Sequence, residues 1–208
     1  MPEVFLASRN AKKVAEMQRI LADHVPGVHV VGLDDVTAYD EPVEDEASFE
    51  GNALLKARAG AAATGLPSIA DDSGLCVDEL HGMPGVLSAR WAGRPQSDER
   101  NNALLLEQLL DTPEARRGAH FACAIAWVMP SGVERVVHGR MHGRVIREQR
   151  GGGGFGYDVL FVPDEYASTA RTSAELSPRE KDAISHRGRA LRELAPLAPG
   201  HLDPAWEP

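Results

Sequence analysis

The stretch Val4-Phe5-Leu6-Ala7-Ser8-Arg9-Asn10-Ala11-Lys12-Lys13 reads as a short buried strand running directly into a helix. Val4–Ala7 is wholly apolar. From Ala11 to Ala22, residues Val14, Met17 and Leu21 recur at helical spacing, and Asn10 stands where an N-cap belongs. A second apolar run, His29–Leu33, follows as a strand. Strand, helix, strand in close succession is the alternation of an α/β protein.

Working outward, an Ala-rich segment from about Ser48 to Thr64 predicts a helix ended by Gly65 and Pro67. Ser68–Ala70 predicts a strand that stops at Asp71-Asp72-Ser73-Gly74, with Leu75–Val77 as a further strand. His81–Arg94 is rich in Gly and Pro and reads as an ordered loop. Asp98–Leu110 predicts a helix with Leu104, Leu105, Leu109 and Leu110 on one side. Ala119–Val128 and Val133–Val145 read as two long strands joined by the Pro130-Ser131-Gly132 turn, hence an antiparallel pair. Tyr157–Val162 predicts another strand. Ser177-Pro178-Arg179-Glu180 is a capping box with Pro at the first helical position. The tail after Pro196 is expected to be loose. No repeat or linker interrupts residues 1–208, so the expectation is one mixed α/β domain in two lobes with a cleft.

The chain has 208 residues, 22 Lys and Arg against 31 Asp and Glu, and a formal net charge of −9. That balance argues against binding to nucleic-acid polymers or an anionic membrane surface. The longest apolar run, Phe121 to Met129, is too short to span a bilayer. No secretory signal opens the chain, so a reducing cytoplasm is the default expectation. Cys76 and Cys123 lie inside apolar segments without zinc-ligand spacing, and two buried free thiols is the leading reading, with a single disulfide as the alternative.

Five constellations carry chemistry. Ser8–Lys13 sits at a strand-to-helix junction, where unpaired first-turn amides and lysines suit an anion; the plainer alternative is an ordinary cap with solvated lysines. Asn52 and Lys56 share one helix face beside a segment, residues 34–50, that holds eight acids and no Lys or Arg. Such a loop either faces water or holds a hard cation such as Mg²⁺. The pair Asp71-Asp72, flanked by apolar residues, suits metal binding or general-base work, against an ordinary Asp-Ser-Gly turn. Gly151–Gly154 leads into Phe155-Gly156-Tyr157-Asp158. No helix opens after these glycines, so a dinucleotide fingerprint is rejected in favour of close contact with a flat ligand. Lys181, Ser185, His186 and Arg187 cluster donors suited to a carbonyl oxygen or phosphate. There is no GxSxG, no HExxH and no P-loop.

In combination and order these motifs resemble the inosine/xanthosine triphosphate pyrophosphatase family. The resemblance runs from about Val4 to Leu194. It rests on Ser8-x-Asn10-x-x-Lys13, Ser48-Phe49-x-x-Asn52-Ala53-x-x-Lys56-Ala57, Ala70-Asp71-Asp72-Ser73-Gly74-Leu75, Pro84-Gly85-Val86-x-Ser88-Ala89-Arg90, Gly153–Asp158 and Glu180-Lys181-x-x-Ile184-Ser185-His186-Arg187-Gly188. The chain departs from the pattern at Glu44-Asp45-Glu46, where relatives often carry Glu-Thr-Gly, and at Gly51, where an acid is often found.

The resemblance implies an elongated, twisted sheet, a central nucleotide cleft and a homodimer. It implies Mg²⁺-dependent hydrolysis of ITP, dITP and XTP to the monophosphate and pyrophosphate. Ser8, Arg9, Asn10, Ala11, Lys12, Lys13 and Lys56 then match phosphate contacts, and Ser73 a substrate contact. Glu44 and Asp72 match the metal-site acids, Asp72 also serving as general base. Phe155, Gly156, Tyr157, Asp158, Lys181, His186 and Arg187 match nucleoside-binding positions. Hypoxanthine and xanthine present O6 as acceptor and N1–H as donor, and adenine reverses both. Donors at O6 (Arg187, His186 or a backbone N–H) and an acceptor at N1 (Asp158 or a carbonyl) would therefore reject ATP.

Overall fold

A computed structural model describes residues 2–197. The expectation for the tail falls almost wholly outside them. The protein is mixed α/β with a six-stranded mixed sheet. The strands are β1 (Glu3–Leu6), β2 (His29–Val31), β3 (Ser68–Val77), β4 (Gly118–Val128), β5 (Glu134–Val145) and β6 (Phe161–Pro163). Their order is β2-β1-β3-β4-β5-β6. β1 pairs in parallel with both β2 and β3, and β5 pairs antiparallel with β6. The helices are α1 (Ala11–Ala22), α2 (Phe49–Thr64), α3 (Asp98–Gln108), α4 (Pro178–Ile184) and α5 (His186–Leu194).

The chain divides into two compact units. The first comprises the residues up to Asp72, Cys123–Gly139 and those from Arg187 onward; the second comprises Ser73–Ala122 and Arg140–His186. In the first unit the two faces of the sheet are chemically different. One face packs Val4, Leu6, Ile69, Cys123, Ile125 and Trp127 against Met17 and Leu21 of α1 and Ala190 and Leu191 of α5. The other packs Ala70, Ala124, Ala126 and Val128 against Ala53, Ala57 and Ala61 of α2. Side chains alternate between faces along a strand, so Ile69 and Ala70 belong to different cores. In the second unit Leu75, Val77, Phe121, Met141 and Phe161 pack with Leu105 of α3 and with Leu109 at its C-cap.

Helix ends follow local sequence. Asn10 accepts from Lys12 N at 3.0 Å and Lys13 N at 3.4 Å. Ser48 caps α2 and Gly65 closes it at φ +68°. Ser177 and Glu180 form the expected box on α4.

Three expectations are corrected. β3 does not stop at Asp71: it runs as one ten-residue strand through the acidic pair to Val77. Both carboxylates have partners from other elements, so the strand carries them through without an unpaired buried charge. Residues 156–160 form a 3-10 turn rather than a strand, because Gly156 takes φ +61° and Asp158 folds back to cap the Phe155 amide. Leu110 is 68% exposed and lies beyond the end of α3, whereas Leu105 and Leu109 are fully buried. Both cysteines are free and buried. Among the described residues no helix is long and apolar enough to cross a membrane.

Candidate active site

The polar centre of the first unit is built on β3. Asp71 is 3% exposed. Lys13 Nζ donates to both of its carboxylate oxygens at 3.0 Å, and Arg187 Nε and Nη2 donate to Oδ2 at 3.1 and 2.9 Å. Arg187 Nη1 donates to Glu16 Oε2 at 2.9 Å, and this guanidinium is itself 3% exposed. Burial alone would raise the Asp71 pKa; Arg187 first, then Lys13 and Lys56, outweigh it and hold the carboxyl far below the usual carboxylate range. Asp71 and Glu16 in turn hold the Arg187 guanidinium charged against its burial.

Asp72 is treated differently. Asn52 Nδ2 donates to its Oδ2 at 2.9 Å, and Lys56 Nζ lies 3.9 Å from Oδ1. Burial raises the Asp72 pKa, with Glu44 and Asp71 adding to the rise, and Lys56 and Asn52 offset it only in part. Lys56 Nζ also donates to the main-chain oxygen of Asp71 at 2.8 Å and meets Glu44 Oε1 at 2.9 Å. One ammonium thus binds Glu44 and Asp72 together. Burial works against the Lys56 charge, but Asp71, Asp72 and Glu44 more than compensate and raise its pKa.

Asn52 is fully buried and links two pieces of the site. Its Oδ1 accepts from Glu46 N at 3.1 Å while its Nδ2 holds Asp72. Gly51 matters here because a Cβ in its place would stand 2.8 Å from the Glu46 Cβ. Of the neighbouring acids, Glu41 pairs with Arg9 and Glu44 reaches Lys56. At the α1 junction, Ser8 Oγ accepts from Asn10 N at 3.2 Å. Ala11 opens the helix, and the Lys12 and Lys13 amides are turned onto the Asn10 cap.

The second unit holds another set. Ser73 lies on β3 before Gly74, where a Cβ would stand 2.3 Å from Ser88 Oγ and 2.4 Å from Gly85 O. Phe155 is 38% exposed, with Lys181 Nζ 5.0 Å from its ring centroid. Asp158 is buried; its Oδ2 accepts from Phe155 N at 2.9 Å and pairs with the Lys181 ammonium. A Cβ at Gly154 would stand 2.1 Å from that oxygen, so the loop closes on Asp158 only with glycine there. Tyr157 is buried and its hydroxyl donates to Ser88 O at 3.0 Å. His186 stacks on Phe121 with centroids 5.0 Å apart and planes 11° apart.

The sequence-predicted residues therefore separate into two groups. In the first unit Lys56, Glu44 and Asp72 meet on the α2 side of β3 while Lys13 and Arg187 gather on Asp71, and Phe155, Asp158 and Lys181 meet in the second. The side chains of Asp158 and Arg187, expected as base readers, are engaged by Lys181 and by Asp71 with Glu16. Sequence reasoning missed Asn52 as a partner of Asp72 and Glu16 as a partner of Arg187. A charged residue next to Met17 on the apolar face of α1 was the available signal for Glu16.

Asp72 and Glu44 offer only carboxylate oxygens, and burial with Glu44 repulsion already disfavours the Asp72 charge. A small hard dication relieves both effects. Mg²⁺ takes one or two carboxylates beside phosphate oxygens and water, so two acids suffice. This donor set fits the ion.

Residues 4–197 match the Ham1 family. A dITP/XTP pyrophosphatase of Nocardia farcinica is 62% identical over 197 residues, covering 94% of each chain. A crystal structure of the nucleoside-triphosphatase, dITP/XTP pyrophosphatase, of Mycobacterium abscessus is 56% identical, covers 93% of this chain and 99% of its own, and superposes with a TM-score of 0.75. The structure of a HAM1 protein from Coxiella burnetii is 40% identical, with coverage of 96% and 99% and a TM-score of 0.84. The family model spans nearly the whole chain and the relatives cover it almost completely, so the chain belongs to the Ham1 family.

Proposed function

We propose that the protein hydrolyses the aberrant purine nucleoside triphosphates ITP, dITP and XTP to the monophosphate and pyrophosphate, clearing them from the nucleotide pool. The reading includes Mg²⁺ as cofactor, a homodimer and a cytoplasmic location. The observation that carries it is Asp72, a buried carboxylate oriented by Asn52 and sharing Lys56 with Glu44. The relatives' names, dITP/XTP pyrophosphatase, supply the substrate class.

In this reading Asp72 accepts the proton of the water that attacks the α-phosphorus, and the α–β bridging bond breaks as pyrophosphate leaves. Asn52 holds one oxygen of Asp72 and so fixes the direction of the carboxylate. Lys56 and Lys13 place positive charge where the triphosphate sits. Glu44 and Asp72 would hold Mg²⁺, which would supply charge neutralisation for the departing pyrophosphate. In the second unit Phe155 offers a ring face to the base. With Asp158 and Arg187 engaged inside the protein, and the Phe155 and Gly156 main chain bonded to Asp158, Asp98 and Asn102, base reading falls first to His186 and to the main-chain N–H of Tyr157.

The test is a nucleotide panel with the purified protein, with and without Mg²⁺, scored for pyrophosphate and orthophosphate. Pyrophosphate is expected from ITP, dITP and XTP, with kcat/KM for ATP lower by about 10⁴-fold. Orthophosphate as first product would instead indicate a general nucleotide phosphatase, and binding without turnover a nucleotide sensor. Light scattering after size exclusion checks the dimer.

A further inference from the structure

The loop that carries Phe155 contains five glycines in the six positions 151–156. Such a segment adapts its backbone easily. Selection by hydrogen bonding needs the opposite property. A site rejects the wrong base only when its polar groups stay in place and go unpaired. Something must therefore hold this loop still.

We propose that Asp98 and Asn102 are positioning residues that fix the main chain of Gly156 and so set the discrimination between ITP and ATP. This rests on the nucleotide reading above. Asp98 Oδ2 accepts from Gly156 N at 2.7 Å, and Asn102 Nδ2 donates to Gly156 O at 3.0 Å. The two residues are four apart on α3 and share a face, so one rigid helix grips both polar atoms of one backbone residue. Gly156 sits at φ +61°, and its neighbours are Phe155 and the buried Tyr157 and Asp158.

The residue choices are not explained by stability alone. An Asp in the first turn of a helix is favourable for its dipole, but that does not require a 2.7 Å contact to a residue 58 positions away. Asn102 gains nothing from the dipole a full turn further in. It is 3% exposed, and its Oδ1 is buried with no hydrogen-bond partner. A Leu would remove that unsatisfied oxygen. Flipping the amide would set Oδ1 against Gly156 O, so the Nδ2 contact fixes the orientation. The adjacent Asn101 does the parallel task on another loop: it accepts from Ala92 N at 2.7 Å and donates to Ala89 O at 3.1 Å. Tyr157 joins that loop through Ser88 O.

The experiment measures kcat and KM for ITP and for ATP, with thermal melting, in wild type, Asp98→Ala, Asn102→Leu and Asp98→Asn. Asp98→Ala and Asn102→Leu are expected to lower the ITP-to-ATP ratio of kcat/KM by about 10-fold or more, mainly through a higher KM for ITP. Inhibition by pyrophosphate should not change. Asp98→Asn keeps an acceptor and should stay within about threefold of wild type. Equal losses on ITP and ATP, or a ratio within about twofold of wild type in both loss variants, overturns the proposal. If Asn102→Leu does not fold, the exposed helix-end pair Asp98→Ala and Asp98→Asn decides alone. A wild type that does not prefer ITP overturns the functional reading itself, and is recognised before any variant is made; the positioning role falls with it.

Discussion

Asp71 and Asp72 are consecutive residues of one strand, yet the protein uses them in opposite ways. Asp71 faces α1 and α5, where Lys13 and Arg187 saturate it. Asp72 faces α2, where one amide and a more distant ammonium meet it. The first carboxylate is kept charged and occupied. The second is kept partly desolvated, with its charge only partly compensated. Strand alternation alone separates them, since neighbouring side chains point to opposite faces. The lesson is that a double Asp need not be a double ligand: one member fastens the strand while the other keeps a charge that is only partly compensated.

The largest expected break in that comparison is Asp72→Asn. Turnover of ITP should fall by about 10²- to 10⁴-fold, while the melting temperature stays level or rises, because the surroundings do not favour the charge that is removed. Near-normal pyrophosphate release from the purified variant would remove Asp72 from the base role. Asp71→Ala should do the reverse in kind, costing about 3–5 kcal/mol in urea unfolding because Arg187 is left buried beside a single acid. A change below 1 kcal/mol would show that Asp71 is not the fastening member. Asn52→Leu tests what makes Asp72 different. Loss of orientation should lower kcat by about 10- to 100-fold with the fold retained, and an unchanged kcat would mean that Asp72 needs no guide.

The smallest effect is in acid. The Asp71 carboxyl has a lower pKa folded than unfolded, so the unfolded chain takes its proton first as pH falls. Its contribution to stability is whole above the ordinary carboxylate value, about 3.9, and is lost progressively below it. Melting followed from neutral pH downward should show a component of the decline below about pH 4 that Asp71→Asn lacks.

The fold was legible where short-range sequence decides it. Asn10 as cap and the bounds Ala11–Ala22 were readable because the capped amides lie two and three residues on. The continuity of β3 was not, since it depends on Lys13, Asn52, Lys56 and Arg187, which lie 15 to 116 positions from their Asp partners. The turn at 156–160 was misread as a strand because its apolar residues outweighed one glycine at positive φ. Within the candidate site, Asp72, Glu44, Lys13 and Lys56 were nameable from motifs. What they touch was not: a motif gives residue types, and only tertiary packing showed that Arg187 faces Asp71 and Glu16 and that Asp158 closes its own loop.

One further property follows from the small residues of α2. Ala53, Ala57 and Ala61 set the helix on a sheet face that also carries alanines, and at Gly60 even a methyl would stand 2.5 Å from Ser68 Oγ and 2.6 Å from the Phe5 ring. The helix seats so closely that Asn52 and Lys56 reach β3 with ordinary side-chain lengths. Smallness here acts as a gauge that sets the distance of Asn52 and Lys56 from the acidic pair. A larger residue at Ala57 or Gly60 would lift the helix and draw Asn52 away from Asp72 without touching either, so the acidic pair depends on positions whose only qualification is how little they occupy.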